Sequence, residues 1–337
     1  MHVAVVGCGA VGARAARQLI SADAVDRLVL CDPRRERADT LARSLGDRAD
    51  VVDDLTDVQV DGVLLASDAG THFGLARDAI TAGRFVVSTS DALDEVRLLR
   101  TLDAVAADRG LSVVVGAGFA PGLTCVLAQF AATRFDEVDE VHVAKAGTGG
   151  PACARQHHEA FRSQAVEWRD GSWVQRRGGS GRELCWFPEP VGGRDCYRAA
   201  LADPVLQVSA FPGLRRATGR VAATRRDRLT MQLPMLFPPH ADGGVGAVRV
   251  EVRGRAHGES QVVALGAIDR PGVAAGAVAA QVCAWIRDGR LRRPGAGGLG
   301  ELVEPKAFLR ELAERGVRAA VFDGTPRVQP LPEPMAR

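Results

Sequence analysis

Residues 144–161, AKAGTGGPACARQHHEAF, hold one lysine, one arginine, one cysteine and two adjacent histidines within eighteen positions. These side chains suit acid–base chemistry, because a histidine exchanges a proton near neutral pH and a desolvated lysine can be tuned toward it. Lys145, His157 and His158 are therefore the candidate catalytic groups. The histidines are consecutive on a predicted helix and point about 100° apart, so at most one faces a cleft. Lys145 has an alternative role as salt-bridge partner of Asp139 or Glu140. Arg155, on the first helical turn, can clamp a carboxylate bidentately or stand exposed. Tyr197, the only tyrosine, is a further candidate donor, with core packing as its alternative. Cys153 and His157 are four apart and share a helix face, as two metal ligands would. The seven cysteines form no second paired motif, so no metal site is expected.

The elements that must place these groups can be read around them. VDEVHVAK alternates as a strand and delivers Lys145 to its end, and Gly147 to Pro151 turn the chain into a helix. Free N–H groups at that helix start make Thr148, Gly149 and Gly150 candidate binders of a substrate carboxylate. The turn is not a Walker A loop, since no Gly-Lys-Ser/Thr follows.

A second glycine cluster announces a ligand. HVAVVG reads as a buried parallel strand, and Gly7-Cys8-Gly9-Ala10-Val11-Gly12 leads from it into a helical pattern. This is G-x-G-x-x-G in its strand-to-helix setting: Gly7 for the turn, Gly9 for approach of a pyrophosphate, Gly12 for close packing. Ala10 and Val11 open the helix whose N–H groups face that pyrophosphate. The next strand ends at Asp32, about twenty residues on, where a carboxylate accepts from ribose hydroxyls and favours NAD. Arg34 and Arg35 follow at once and could hold a 2′-phosphate, which leaves NADP open; a helix N-cap is the alternative role for Asp32.

Short β-rich runs at 49–54, 62–67, 85–90 and 111–118 alternate with amphipathic segments, the pattern of a doubly wound parallel sheet. Ligands there lie at the carboxyl ends of strands, which places Ser67, Asp68 and Ser90 beside the cofactor. Thr71 and His72 are expected to cap the helix after 62–67. The last parallel strand runs into Gly116-Ala117-Gly118-Phe119-Ala120-Pro121-Gly122-Leu123. Pro121 suits the first position of a helix, and Gly118 and Gly122 allow backbone N–H groups close to nicotinamide or substrate; a plain interdomain hinge is the alternative.

That exit turn, FPEPVGG at 187–193 and the hairpin-and-helix run 250–286 resemble the saccharopine dehydrogenase family. The resemblance implies an NAD(P)-dependent oxidoreductase acting at an amine or imine carbon of a small amino-acid-like substrate. Members often carry Asp where this chain has Ala120, so that carboxylate is omitted or relocated here. Glucose-fructose oxidoreductase-like dehydrogenases of hydroxyl substrates are the rival class. Their Glu-Lys-Pro after the fifth strand is replaced by Ser88-Thr89-Ser90-Asp91-Ala92, with no lysine. A non-catalytic dinucleotide-binding sensor is the third possibility.

Composition bounds the rest. At 337 residues, with 46% hydrophobic residues and net charge +2, the chain suits two globular domains and neither disorder nor nucleic-acid binding. Lysine is scarce, with Lys145 and Lys306 alone, so Lys145 stands out. The arginine-rich run 215–229 is expected to be a solvated helical face, with phosphate binding as its alternative. No stretch approaches the roughly eighteen apolar residues of a membrane span, and unpaired cysteines point to a cytoplasmic protein. The expected fold is α/β: a Rossmann domain over 1–122 and an α+β substrate and oligomerisation domain over 123–299 with a mixed or antiparallel sheet. Helices about 300–322 are expected to pack back on the first domain, and 324–337 to form a loose tail. Residues 154–168 are read as helix, GSWVQRRGG with RELCWFPEP as a hairpin, and 233–244 as a lid or subunit contact, with a rigid surface loop as the alternative. A homodimer or larger homo-oligomer is expected.

Overall fold

The computed structural model describes residues 1–230, 233, 240 and 243–322. HVAVV forms β1 (His2–Val6), with Val3, Ala4, Val5 and Val6 buried, as a strand covered on both faces requires. The chain continues through α1 (Ala10–Ser21), β2 (Arg27–Cys31), α2 (Arg35–Leu45), β3 (Ala49–Val51), β4 (Gly62–Leu65) and α3 (His72–Thr81). It goes on through β5 (Phe85–Ser88), α4 (Leu93–Arg100), α5 (Asp103–Asp108) and β6 (Ser112–Val114). These strands pair in parallel in the order β6-β5-β4-β1-β2-β3, the doubly wound arrangement.

The exit turn leads to α6 (Leu123–Ala132), β7 (Glu137–Ala146), α7 (Pro151–Arg162), β8 (Gln164–Arg169), β9 (Ser172–Arg177), β10 (Glu183–Trp186) and β11 (Gly193–Arg198). Next come α8 (Asp203–Ala210), β12 (Arg216–Ala222), α9 (Arg225–Thr230), β13 (Gly246–Ala256), β14 (Glu259–Asp269) and α10 (Pro271–Arg287). The last elements are β15 (Gly295–Gly297), α11 (Leu299–Leu302), α12 (Pro305–Glu314) and β16 (Ala319–Phe322). A nine-stranded mixed sheet runs β10-β11-β12-β7-β13-β14-β16, with β8 paired to β12 and β9. β12 and β7 are parallel and its other pairs antiparallel. β15 returns to the first sheet beside β6, whereas β16 stays with the second.

One continuous apolar core joins the sheets through α6 and α10. Helix α10 packs on α1, and its Trp285 meets Phe308 of α12 edge to face at 5.1 Å. Among the described residues no helix is long and apolar enough to cross a membrane.

Three local expectations are corrected. The helix after Pro151 stops at Arg162, and QAVEWR is a strand, β8, with Ala165, Val166 and Glu167 buried in the sheet. β9 pairs with β8 and not with β10, because Asp170-Gly171, at φ 44° and 86°, supplies the tight turn between those two strands. The arginine-rich run divides in two: Arg216–Ala222 is β12, a central strand in which Arg220 is buried against Glu183, whereas Arg225–Thr230 is α9, whose Arg225, Arg226, Asp227 and Arg228 are exposed as the expected solvated helical face. The proposed lid over 233–244 and the tail over 324–337 lie largely or wholly outside the described residues.

Candidate active site

The cofactor loop is built as its glycines require. Gly7 turns with φ +94°, and α1 begins at Ala10, leaving its first N–H groups toward the cleft mouth. The Asp32 carboxylate, at the end of β2, accepts from the Cys8 N–H at 2.7 Å and from the Arg34 N–H at 2.8 Å. The N-cap of α2 is Arg34, so Asp32 braces the loop instead of capping that helix. The Arg34 side chain is exposed, and Arg35 is engaged by Asp53. A Cβ on Gly9 would meet nothing within 4 Å, which leaves room for a pyrophosphate against the backbone. These residues fit a bound dinucleotide.

A cavity of ≈ 130 Å³ opens between the two sheets. From the first domain Val11, Ser67, Asp68, Thr89, Ser90 and Asp91 line it, and from the exit turn Gly118, Ala120 and Pro121. The second domain contributes Lys145, Gly149, Cys153, Gln156 and His157, and α10 adds Gly272 and Ala275. Two of the first-domain loops are pinned by Glu95, a buried carboxylate of α4. It accepts from Gly70 N–H at 2.9 Å, His72 N–H at 2.8 Å and Ser90 Oγ at 2.6 Å. Glu95 therefore holds the start of α3, the role expected of Thr71 and His72. Thr71 Oγ1 instead donates to Asp68 O, and His72 is buried between Ser88 Oγ and Ser67 O.

At the centre of the cavity Lys145, 4% exposed, donates to Asp91 Oδ2 at 3.0 Å and to Ala120 O at 3.3 Å. β7 delivers this lysine because its neighbours on both sides, β12 and β13, bury it: Lys145 is opposite Val221 and Val248. Asp91 lies just beyond β5, so the pair spans the two domains. Burial disfavours the charged lysine, yet the Asp91 carboxylate holds its pKa above the ordinary value. Burial likewise pushes Asp91 upward, and Lys145 and His157 together hold it below the usual carboxylate range. His157 Nε2 is 3.9 Å from Asp91 Oδ2 and 3.6 Å from Cys153 Sγ. Burial, aided by the Lys145 charge, drives His157 down to about 3, so its imidazole is neutral near neutral pH. Burial and Asp91 push the Cys153 thiol up to about 11. The site thus offers one ammonium held by one carboxylate, flanked by a neutral imidazole and a thiol.

Several candidates lie elsewhere. His158 faces away from the cavity, its Nε2 2.6 Å from Leu233 O. Tyr197 is buried in a separate apolar cluster under the Arg228 guanidinium, 4.3 Å from its ring. Arg155 is exposed and pairs across the cleft mouth with Asp68 at 3.2 Å, a contact between two exposed groups. Gly122, at φ +124°, caps α6, and Gly150, at φ +127°, caps α7; neither these nor Thr148 lines the cavity. Asp91 belongs to the strand-end segment Ser88 to Asp91 where the sequence expects a ligand, and Cys153 enters the expectation only through its spacing from His157; Gln156 and Glu95 carry no such signal. Asp91 carried a signal, since it ends the run at the carboxyl end of β5.

Residues 1–89 match the GFO/IDH/MocA family model, described as an oxidoreductase family with an NAD-binding Rossmann fold. The first domain is accordingly an NAD-binding Rossmann domain of oxidoreductase type, and for this segment the match falls to the class that the sequence placed second. No curated protein sequence matches the chain. Among solved structures the chain is similar to apo saccharopine dehydrogenase (L-Glu forming) from Saccharomyces cerevisiae. The identity is 14% over 95% of this chain and 99% of that one, with a TM-score of 0.65. It is also similar to a myo-inositol dehydrogenase from Corynebacterium glutamicum, at 15% identity over 96% and 99% of the two chains and a TM-score of 0.49. A third similar structure is GenD2 from gentamicin A biosynthesis in complex with NAD, at 18% identity over 96% of each chain and a TM-score of 0.47. At such identities the likeness to the yeast enzyme is one of fold.

Proposed function

We propose that the protein is an NAD-dependent oxidoreductase that reduces a carbon–nitrogen double bond of a small amino-acid-like substrate in the interdomain cleft, with Lys145 as the proton donor. The buried Lys145–Asp91 pair at the end of β5 carries this proposal. Bound NAD in its reduced form supplies the hydride. Lys145, held protonated by Asp91, can pass a proton to the substrate nitrogen, which takes the C=N π pair as hydride adds to the carbon, and regains a proton from solvent afterwards. Asp91 orients the ammonium, and Ala120 O fixes a second of its N–H bonds. His157, neutral and buried, serves as a hydrogen-bonding wall and not as the acid. The exit-turn resemblance supports a nitrogen substrate, and Asp91, sharing the Lys145 ammonium with Ala120 O, offers a carboxylate that the turn itself lacks.

A hydroxyl or carbonyl substrate is the second reading, favoured by a specific observation: a lysine does reach the end of the fifth strand, arriving from β7 instead of from the loop itself. NADH consumption over a panel of imines formed from 2-oxo acids and amines, and of sugar and polyol ketones, separates the two. Lys145→Met is expected to lower kcat by about 10²- to 10⁴-fold with NADH affinity retained. A Lys145→Met enzyme with full kcat would remove Lys145 from proton transfer, and turnover confined to ketones would select the second reading.

A further inference from the structure

We propose that Asp91, Cys153 and His157 form a binding site for a zinc-class divalent cation, with the open coordination position facing the interdomain cavity. The proposal goes beyond the hydride-transfer reading and does not depend on it. The carboxylate oxygen of Asp91, the sulfur of Cys153 and a ring nitrogen of His157 lie within 4.8 Å of one another. The Cys153 Sγ to His157 Nε2 distance is 3.6 Å, and Asp91 Oδ2 to His157 Nε2 is 3.9 Å. Zinc bonds of about 2.0–2.3 Å in a tetrahedron give ligand-to-ligand edges of about 3.3–3.7 Å, so one edge is already formed and another is nearly so.

The donors also fit in kind. A thiolate, an imidazole and a carboxylate are the three ligand types zinc takes, whereas the sulfur disfavours magnesium and calcium. Cys153 and His157 are one helical turn apart on α7, so a rigid element fixes their spacing. Asp91 comes from the other domain, in a loop that Glu95 holds through Ser90. An ion here would tie the two walls of the cleft together.

Lys145 sets the limit on affinity. Its ammonium already donates to Asp91 Oδ2, so cation and ammonium compete for one carboxylate, although Ala120 O remains available to the lysine. With Cys153 ionised, a divalent ion beside Lys145 leaves one net positive charge, which favours an anionic oxygen from the cleft as fourth ligand. All three ligands line the same cavity, so that oxygen can belong to a bound substrate.

The test is titration of the full-length protein with Co²⁺ alone, reading the thiolate-to-cobalt absorption, followed by displacement with Zn²⁺. Wild type is expected to show the thiolate band. Cys153→Ser is expected to lose it, with affinity lower by about 100-fold or more; Asp91→Asn is expected to weaken binding about 10- to 100-fold. Cys31→Ser, which removes a partly exposed thiol away from the cavity, is expected to leave the band unchanged. Thermal stabilisation by NADH reports folding of each variant. No thiolate band in wild type overturns the site even if a variant fails to fold, as does undiminished affinity in both site variants. Cobalt binding without any NADH response would keep the site and sink the oxidoreductase reading.

Discussion

Gly12→Ala is expected to lower NAD affinity by at least about 100-fold, equivalent to about 2.8 kcal/mol, and to destabilise the fold by about 1–3 kcal/mol. A Cβ at this position would stand 1.8 Å from the Gly7 carbonyl oxygen, 3.0 Å from its carbonyl carbon and 3.3 Å from the Ala66 Cβ. The first two are backbone atoms of the loop that turns from β1 into α1, and Gly7 itself is wedged against Ala66. Relief requires α1 to retreat from the loop. That retreat carries away the helix N–H groups that a pyrophosphate needs, and α10 must follow because it packs on α1.

The neighbouring glycine gives the contrast. Gly9 has nothing within 4 Å of the added carbon, so Gly9→Ala is expected to keep wild-type stability while its methyl occupies the space left for the pyrophosphate. Urea unfolding and isothermal titration with NAD separate the two variants. Gly12→Ala should lose in both measurements and Gly9→Ala only in the second. Wild-type NAD affinity in Gly12→Ala would show that the cofactor does not sit on this loop.

Glu95→Ala is expected to cost about 3 kcal/mol of stability, and Glu95→Gln about 1 kcal/mol. The carboxylate is 5% exposed and accepts from two backbone N–H groups and one hydroxyl. Truncation leaves the N–H groups of Gly70 and His72 near the start of α3 without their acceptor, and of the two the His72 N–H is buried and cut off from water. Glutamine keeps the shape, and its amide oxygen can still take both N–H groups, but the charge assistance is gone.

The effect should reach the cleft, because the segments Glu95 pins carry Ser67 and Asp68 on one side and Ser90 and Asp91 on the other. Urea unfolding gives the energies, and hydrogen exchange of residues 67–72 and 88–92 gives the location. Equal exchange in wild type and Glu95→Ala would show that other contacts hold those loops.

Much of this was legible in the sequence because it rests on local rules. The glycine spacing needs only neighbours in the chain: Gly7 and Gly12 answer steric demands of a strand-turn-helix, and Gly9 leaves open space beside the loop. Asp32 follows from the length of one helix and one strand. Lys145 at a strand end and the Cys153–His157 spacing on one face are likewise local. The misread segments were those where the partner strand decides. QAVEWR has no strong period of its own and becomes β8 through pairing with β9 and β12, and RATGRVA becomes a central strand despite its arginines.

The site's charge state was not legible, since it depends on what stands opposite across the domain boundary. Asp91 and Lys145 are 54 positions apart in the chain, and no spacing rule joins them. Their contact converts a buried lysine, which alone would tend to neutrality, into a held ammonium. The same crossing spends Arg155 on Asp68, which the sequence offered as a substrate clamp. It also sets a third possible ligand beside a pair that had looked incomplete.

What the sequence alone determined is the cofactor loop and the alternation of strands and helices, because sterics and hydrophobic periodicity act over a few residues. What only the tertiary structure decided is which side chains meet in the cleft, and with what protons. Burial and Coulomb interactions act through space, and the closing of one domain on the other sets them.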